Sequence, residues 1–296
     1  MRVAVLGLGH MGVPIAERLG QAGHELSVWN RSTGPADALG DRGVTRLARP
    51  QDAWTHADLV VTMLADDDAV KAVTLGPDGL LASDAQLDGT LIDMSTISVE
   101  TSALIAEVCE ERGVSYLRAP VSGNPSVVVA GNLGIIVSGP EQIYETVSPT
   151  LKDIGPNLFY VGAGDESRIV KLALNLMIGG TTQLLAEALV LAEQHGLERE
   201  KMLDVISGSA IGSPYVKYKR GTLLSGDYSS TFTANLLHKD LVLALEAADA
   251  VSVPLPVTAL TRQLVQSCVA AGMGDLDLAV LVPQLQRDAG IDVHVH

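Results

Sequence analysis

The chain reads as an α/β domain followed by an all-helical domain, and three observations carry that reading. Short apolar runs alternate with helix-period segments through the first half, the pattern of a parallel sheet wrapped by helices. Strand signals stop after about Gly162, and long amphipathic or apolar segments fill the rest. The first strand runs directly into a glycine-rich turn, Gly7-Leu8-Gly9-His10-Met11-Gly12. The expected architecture is a Rossmann-type doubly wound sheet over residues 1–163, then an all-α substrate and oligomerisation domain over 164–296, with a long interdomain helix.

The strands expected in order are Arg2–Leu6, Glu25–Trp29, Leu59–Met63, Thr90–Asp93, Ser115–Leu117, Gly134–Val137 and Leu158–Val161, with a further short one near Val44. Helical patterns between them include Val13–Ala22, Ala69–Leu75 and Glu100–Arg112. In the second half they are Ser167–His195, Arg199–Ser207, Thr233–Ala250, Leu255–Ala271 and Leu276–Arg287. Gly196 stands where a helix C-terminal glycine belongs, and Pro254 and Pro256 punctuate the start of another helix.

Composition excludes several classes. With 47% hydrophobic and 19% charged residues, a large buried core is expected and global disorder is not. The net charge of -15, with no cluster of Lys and Arg, repels a phosphate backbone or an anionic membrane, so no nucleic-acid or membrane partner is expected. Cys109 and Cys268 have no metal or disulfide spacing and read as buried thiols. The seven histidines lack ligand spacing, and the terminal His294 and His296 imply no site, so no metal is expected. The apolar stretch Leu172–Ala186 carries Asn175, Thr181, Thr182 and Gln183, and reads as a buried helix too short and polar to span a bilayer. A cytoplasmic protein is expected.

The glycine fingerprint gains weight from following a strand and opening a helix. Gly7 makes the tight turn, Gly9 lets a pyrophosphate approach the backbone, and Gly12 lets helix and strand pack closely. Leu8, His10 and Met11 complete the loop, and the phosphates sit on a helix N-terminus that favours anions. The second strand ends at Asn30-Arg31-Ser32, where an NAD enzyme usually carries an acid for the ribose 2′-hydroxyl. Arg31 suits a 2′-phosphate instead, so NADP (NADPH) is expected in preference to NAD. Met63, Leu64 and Ala65, at the end of the third long strand, face the cofactor. The following Asp66-Asp67-Asp68 resembles a metal cluster, but consecutive side chains diverge, and helix capping with Asp68 ahead of the helix is the expectation.

Lys171 lies in an otherwise apolar helical run, and Asn175 follows one turn later on the same face. Such a lysine either extends its ammonium to solvent or is buried for a purpose, and burial lowers its pKa towards acid–base range. Hydride transfer from an alcohol requires a base for the hydroxyl proton, and the reverse requires an acid at the carbonyl oxygen.

The fingerprint is joined by Asp93-Met94-Ser95-Thr96, Ala119-Pro120-Val121-Ser122-Gly123, Gly162-Ala163-Gly164 with Lys171 and Asn175, and Lys239-Asp240-Leu241. In this order, across nearly the whole chain, they make it resemble the β-hydroxyacid dehydrogenase family (3-hydroxyisobutyrate dehydrogenase-like). The resemblance implies an NAD(P)-dependent dehydrogenase acting on CH–OH groups, moving a hydride between nicotinamide and a small β-hydroxy acid, semialdehyde or oxo acid. It casts Lys171 as general acid/base with Asn175 beside it, and Ser122, Gly123 and Asn124 as holders of the substrate carboxylate. Thr96 would meet the nicotinamide end and Lys239 would reach the cofactor. Considered alone, Thr96 reads as the cap of a helix starting near Ser98, and Lys239 as an ordinary surface lysine. The family pattern Asp-Ala-Pro-Val-Ser-Gly-Gly departs here at both ends, with Arg118, read as solvent-facing, and Asn124. Val99 replaces a common proline.

Three other readings share the plan: an imine reductase or reductive aminase, a non-catalytic NADP-binding protein, and a sugar-acid decarboxylating dehydrogenase, for whose usual form the helical domain is too short. Imine enzymes often carry Trp-Asn-Arg, as at Trp29-Asn30-Arg31, but typically lack the lysine and the Ser-Thr and Pro-Val-Ser-Gly elements. Lys171, Thr96 and Ser122 favour the hydroxyacid reading. The excess apolar surface of the long helix, with the resemblance, predicts a homodimer or homotetramer. The partner is a small-molecule carboxylate, expected between the domains.

Overall fold

A computed structural model describes the chain except residues 41–42, 83–86, 230–231, 292 and 294–296, and except the side chains of 37, 38 and 40. His294 and His296 lie outside the described residues. The chain divides into two compact units, Met1–Lys171 and Leu172–His296.

In the first unit the elements run β1 (Arg2–Leu6), α1 (Gly12–Gln21), β2 (Glu25–Trp29), α2 (Gly34–Gly40), β3 (Thr45–Arg46), α3 (Ala53–His56), β4 (Leu59–Thr62) and α4 (Asp67–Thr74). They continue with β5 (Gly89–Asp93), α5 (Val99–Arg112), β6 (Val114–Arg118), β7 (Val121–Ser122), α6 (Pro125–Val129), β8 (Gly134–Ser138), α7 (Glu141–Ile154) and β9 (Asn157–Gly162). The sheet order begins β3-β2-β1-β4-β5-β6, and these six strands are parallel. Alternation along β1 sends Val3 and Val5 into the core on one face and Ala4 and Leu6 into the core on the other. The order reverses beside β1, which opens a crevice at the strand C-termini where such sheets bind ligands.

The sheet is not parallel throughout. β8 runs antiparallel to β6 and β7, and β9 pairs parallel with β8. The two-residue β7 carries no sequence periodicity. Its link to β8, through the five-residue α6, is shorter than a parallel crossover requires.

The second unit holds most of α8 (Glu166–Gln194), then α9 (Arg199–Gly208), α10 (Pro214–Ser225), α11 (Ala234–Asp249), α12 (Pro256–Cys268) and α13 (Leu281–Asp288). Leu185, Leu189, Leu203, Leu237, Leu241 and Val265 are among its buried core residues. Gly196, at φ +79, closes α8 as expected. α12 passes directly into a π-helical turn over Val269–Met273, so the winding covers the expected Leu255–Ala271, and α13 begins at Leu281 rather than Leu276, after a 3-10 turn over Leu278–Val280. Sequence periodicity did not assign α10; its Lys219 is buried against Asp277, Nζ to Oδ2 2.6 Å.

α8 departs from the expected buried helix. Counted as a helix of 29 residues rather than as its uncharged stretch, it is long and apolar enough by length and composition to cross a membrane. One side packs into the helical core through Leu172, Leu185, Ala186 and Leu189. On the other side Met177, Leu184 and Leu191 are 64%, 66% and 65% exposed, at a spacing that returns to one face every two turns. Cys109 and Cys268 are buried as expected, and burial pushes both thiols up to about 12.

Candidate active site

The loop between β1 and α1 has the geometry its glycines require. Gly7 adopts φ +99, and a Cβ there would lie 2.3 Å from the Met63 carbonyl oxygen. At Gly12 it would lie 1.8 Å from the Gly7 carbonyl oxygen. At Gly9 it would meet nothing within 4 Å, so this backbone faces open space that a ligand can approach. Beside it is a cleft of about 650 Å³, with Leu8, Gly9, His10, Asn30, Ser32 and Val129 in its wall. The glycine turn, the helix start and this cleft fit a dinucleotide.

Asn30 ties the cleft together. Its Oδ1 accepts from the Leu8 amide at 2.9 Å, and its Nδ2 donates to Ser32 O and Ser32 Oγ, each at 3.0 Å. Arg31 and Ser32 are exposed at the tip of β2, and Met11 is half-buried behind the loop. After β4, Met63 and Leu64 are half-buried and Ala65 is exposed. The Leu64 amide donates to Ser95 Oγ at 2.9 Å.

The aspartate run behaves as a cap, but through a different residue than expected. Asp66 caps α4, accepting from the Ala69 amide at 2.8 Å, because the helix already begins at Asp67. Asp67 accepts from the Ser98 amide, Ser98 Oγ and Thr101 Oγ1, joining α4 to the start of α5. Burial would raise the Asp67 pKa, yet these hydrogen bonds hold it below the ordinary carboxylate range. A depressed native pKa stabilises the fold above the unfolded value of about 4, and that contribution is lost as pH falls through the lower native value. Ser98, accepting from the Thr101 amide at 3.0 Å, is the α5 cap, so Thr96 sits upstream in the loop after β5 and is not the cap. No group of three His, Cys, Asp or Glu suited to a metal occurs among the described residues.

Ser122, the last residue of β7, and Gly123 just after it are exposed. Asn124 caps α6, its Oδ1 accepting from the Val127 amide at 3.0 Å and from Ser126 Oγ at 2.7 Å. Its side-chain oxygen is thereby engaged. Arg118 is buried, contrary to the solvent-facing expectation. Its Nε donates to Asp165 Oδ1 at 2.8 Å, and its guanidinium lies over the Tyr116 ring. The carboxylate partner, distant in sequence, is what allows that burial.

Lys171 is half-buried rather than fully enclosed, and Asn175 follows one turn later on α8. Within the helical unit Asn175 is 1% exposed and its Nδ2 donates to Asp240 Oδ2 at 2.6 Å. Its Oδ1 is buried without a protein hydrogen bond. Lys239 is half-buried on α11, not an ordinary surface lysine. Its Nζ lies 2.9 Å from Asp240 Oδ1, a charge contact whose geometry is not that of a hydrogen bond. The structure therefore joins Asn175 and Lys239 through Asp240.

Two family models together match residues 2–285. The NAD-binding domain of 6-phosphogluconate dehydrogenase matches residues 2–162, and the NAD-binding domain of NADP-dependent 3-hydroxyisobutyrate dehydrogenase matches residues 162–285. The 2-(hydroxymethyl)glutarate dehydrogenase of Eubacterium barkeri is 32% identical over 99% of this chain and 97% of its own. The 3-sulfolactaldehyde reductase of Escherichia coli is 34% identical over 99% and 98%. The chain belongs to the NAD(P)-dependent β-hydroxyacid dehydrogenases.

This dehydrogenase also superposes on solved relatives. The Mycobacterium tuberculosis 3-hydroxyisobutyrate dehydrogenase with L-serine matches 97% of this chain and 99% of its own, at 28% identity and a TM-score of 0.85. An imine reductase from Pseudomonas sp. matches 96% and 98%, at 25% identity and a TM-score of 0.62. The hydroxyacid reading fits better than the imine one.

Three residues of the dehydrogenase escaped sequence reasoning. Asp240 was visible only as the neighbour of Lys239. In the sequence Asp93 is only the first residue of a family motif, and Arg168 only a lone cation at the head of an apolar segment. The Asp93 and Arg168 side chains are each 1% exposed and pair at 2.5 Å. The available signal was a charge in an apolar setting, since an unpaired ion there is costly.

Proposed function

We propose that this protein reduces a small oxo acid or semialdehyde to its hydroxy acid and catalyses the reverse oxidation, using NADP in preference to NAD. The observation that carries the reading is Lys171 one turn ahead of Asn175, whose amide is gripped by Asp240 so that Oδ1 remains a buried acceptor. When bound, the nicotinamide supplies the hydride for reduction and takes it in oxidation. Lys171 Nζ gives its proton to the carbonyl oxygen as the hydroxyl forms, and takes it back in reverse. Asn175 Oδ1 accepts from that hydroxyl and orients it. Ser122 Oγ, with the backbone amides of Gly123 and Asn124, holds the substrate's anionic group. Thr96 meets the nicotinamide end. The names of the relatives support an anionic substrate, since glutarate and sulfolactaldehyde both carry one.

The test follows NADPH absorbance, with NADH alongside, against glyoxylate, succinic, tartronate and methylmalonate semialdehydes and several cyclic imines. Lys171-dependent turnover of an oxo acid is expected. Turnover of imines alone would overturn the reading.

Arg31 at the exposed end of β2 supports the NADP preference. A charge-assisted, bidentate contact to a 2′-phosphate is worth roughly 1.5–3 kcal/mol. Arg31→Ala is therefore expected to raise the NADPH dissociation constant by about tenfold or more while leaving NADH nearly unchanged. Equal losses for both cofactors refute the contact.

The exposed stripe Met177, Leu184 and Leu191 supports a homodimer or homotetramer. Leu184→Asp is expected to lower the mass measured by light scattering without loss of helical circular dichroism. An unchanged mass would remove this face from the interface.

A further inference from the structure

Arg168, in the first turn of α8, spreads its guanidinium over three other elements of the sheet unit. Nη2 donates to Asp93 Oδ2 at 2.5 Å and to the Tyr116 hydroxyl at 2.9 Å. Nη1 donates to the Ser95 carbonyl at 2.7 Å, and Nε to Ser102 Oγ at 3.2 Å. Asp93 uses its other oxygen equally fully. Oδ1 accepts from Thr62 Oγ1 at 2.7 Å, from the Ser95 amide at 3.2 Å and from Ser95 Oγ at 2.6 Å. Ser95 Oγ in turn accepts from the Leu64 amide at 2.9 Å. A second pair, Arg118 with Asp165, shares Ser102 and holds the same end of α8.

Stability alone does not explain this investment. A buried ion pair is often no better than well-packed apolar residues of the same volume, whereas its hydrogen bonds define one geometry. The atoms so defined belong to three segments: the loop after β4 at Leu64, the loop after β5 at Ser95 and Thr96, and the turn of α8 that leads to Lys171. With the phosphates on the β1 loop and the adenosine towards Arg31 on β2, the sheet order puts β4 and β5 on the nicotinamide side.

We propose that Arg168 and Asp93 are positioning residues that set the two nicotinamide-side loops and the Lys171-bearing turn of α8 as one piece. Neither touches the reactants. This rests on the roles proposed above for Thr96 and Lys171, and its consequence lies in the chemical step. Misplacing a reacting group by about 1 Å can cost a hundredfold in rate.

The test is the charge-neutral double variant Arg168→Met with Asp93→Asn in the full chain. Tryptophan fluorescence quenching measures binding of NADPH and of adenosine 2′,5′-bisphosphate, which lacks the nicotinamide half. NADPH is expected to bind about tenfold more weakly and the bisphosphate within about twofold of wild type. On the oxo acid, kcat is expected to fall about a hundredfold with little change in KM, and the isotope effect with 4-deuterated NADPH to change. NADPH affinity and kcat both within twofold of wild type overturn the proposal. Parallel loss of both ligands also overturns it, because that marks a merely structural pair. If the wild type reduces no oxo acid, the functional reading fails, and the two binding constants still decide the positioning. Should the double variant not fold, Ser95→Ala breaks only the Asp93–Leu64 link, and the same split between the two ligands is expected at smaller size.

Discussion

Lys171→Met lowers turnover of the oxo acid by about 10²–10⁴-fold, the range that general acid–base catalysis contributes, while NADPH affinity stays within about twofold. The substitution keeps the alkyl stem of a half-buried side chain, so packing on α8 is largely retained. What is lost is the proton at Nζ. Asn175 cannot replace it, because its Nδ2 is committed to Asp240 and an amide does not titrate in this range. Small primary amines added to the Lys171→Met variant are expected to restore part of the rate, in proportion to the concentration of the required protonation state. Steady-state kinetics with and without ethylamine check both statements. A variant that keeps kcat within threefold would remove Lys171 from the acid–base role.

Lys219→Met destabilises the helical unit by about 3–5 kcal/mol, the usual consequence of leaving one half of a buried ion pair. Lys219 Nζ donates to Asp277 Oδ1 at 2.8 Å and to Oδ2 at 2.6 Å, with both side chains 4% exposed. Asp277 also accepts from the Ala279 amide at 2.8 Å, and its own amide donates to the Tyr228 carbonyl at 2.7 Å. The charge therefore cannot move to solvent without undoing a helix cap and a turn. Urea unfolding followed by circular dichroism measures the change. A loss below about 1 kcal/mol would mean that the pair is solvated in solution.

The two variants separate what is local in this chain from what is not. The glycine fingerprint, the strands β1 and β2, and the Lys171–Asn175 spacing were legible because each depends on residues a few positions apart. Backbone sterics at Gly7 and Gly12, two-residue alternation along β1 and the helical turn do not need the rest of the fold. The family motifs were legible for the same reason, as short runs in a fixed order. α10 is not legible in the sequence because Lys217, Lys219 and Arg220 interrupt its apolar period, and it is the distant Asp277 that makes a buried lysine tolerable there.

Arg118 and Arg168 follow that rule. In sequence each is simply a charge, and nothing nearby says that Asp165 or Asp93 will neutralise it. Thus the sequence by itself determined the alternating sheet, the helical second half, the dinucleotide loop and the lysine–asparagine helix. Only the tertiary structure decided which charges are buried, that Asp240 holds Asn175, and that β8 reverses direction beyond β6. The physical reason is range: steric and periodic preferences act over a few residues, whereas the cost of burying a charge is settled by whichever residue folding brings within about 3 Å.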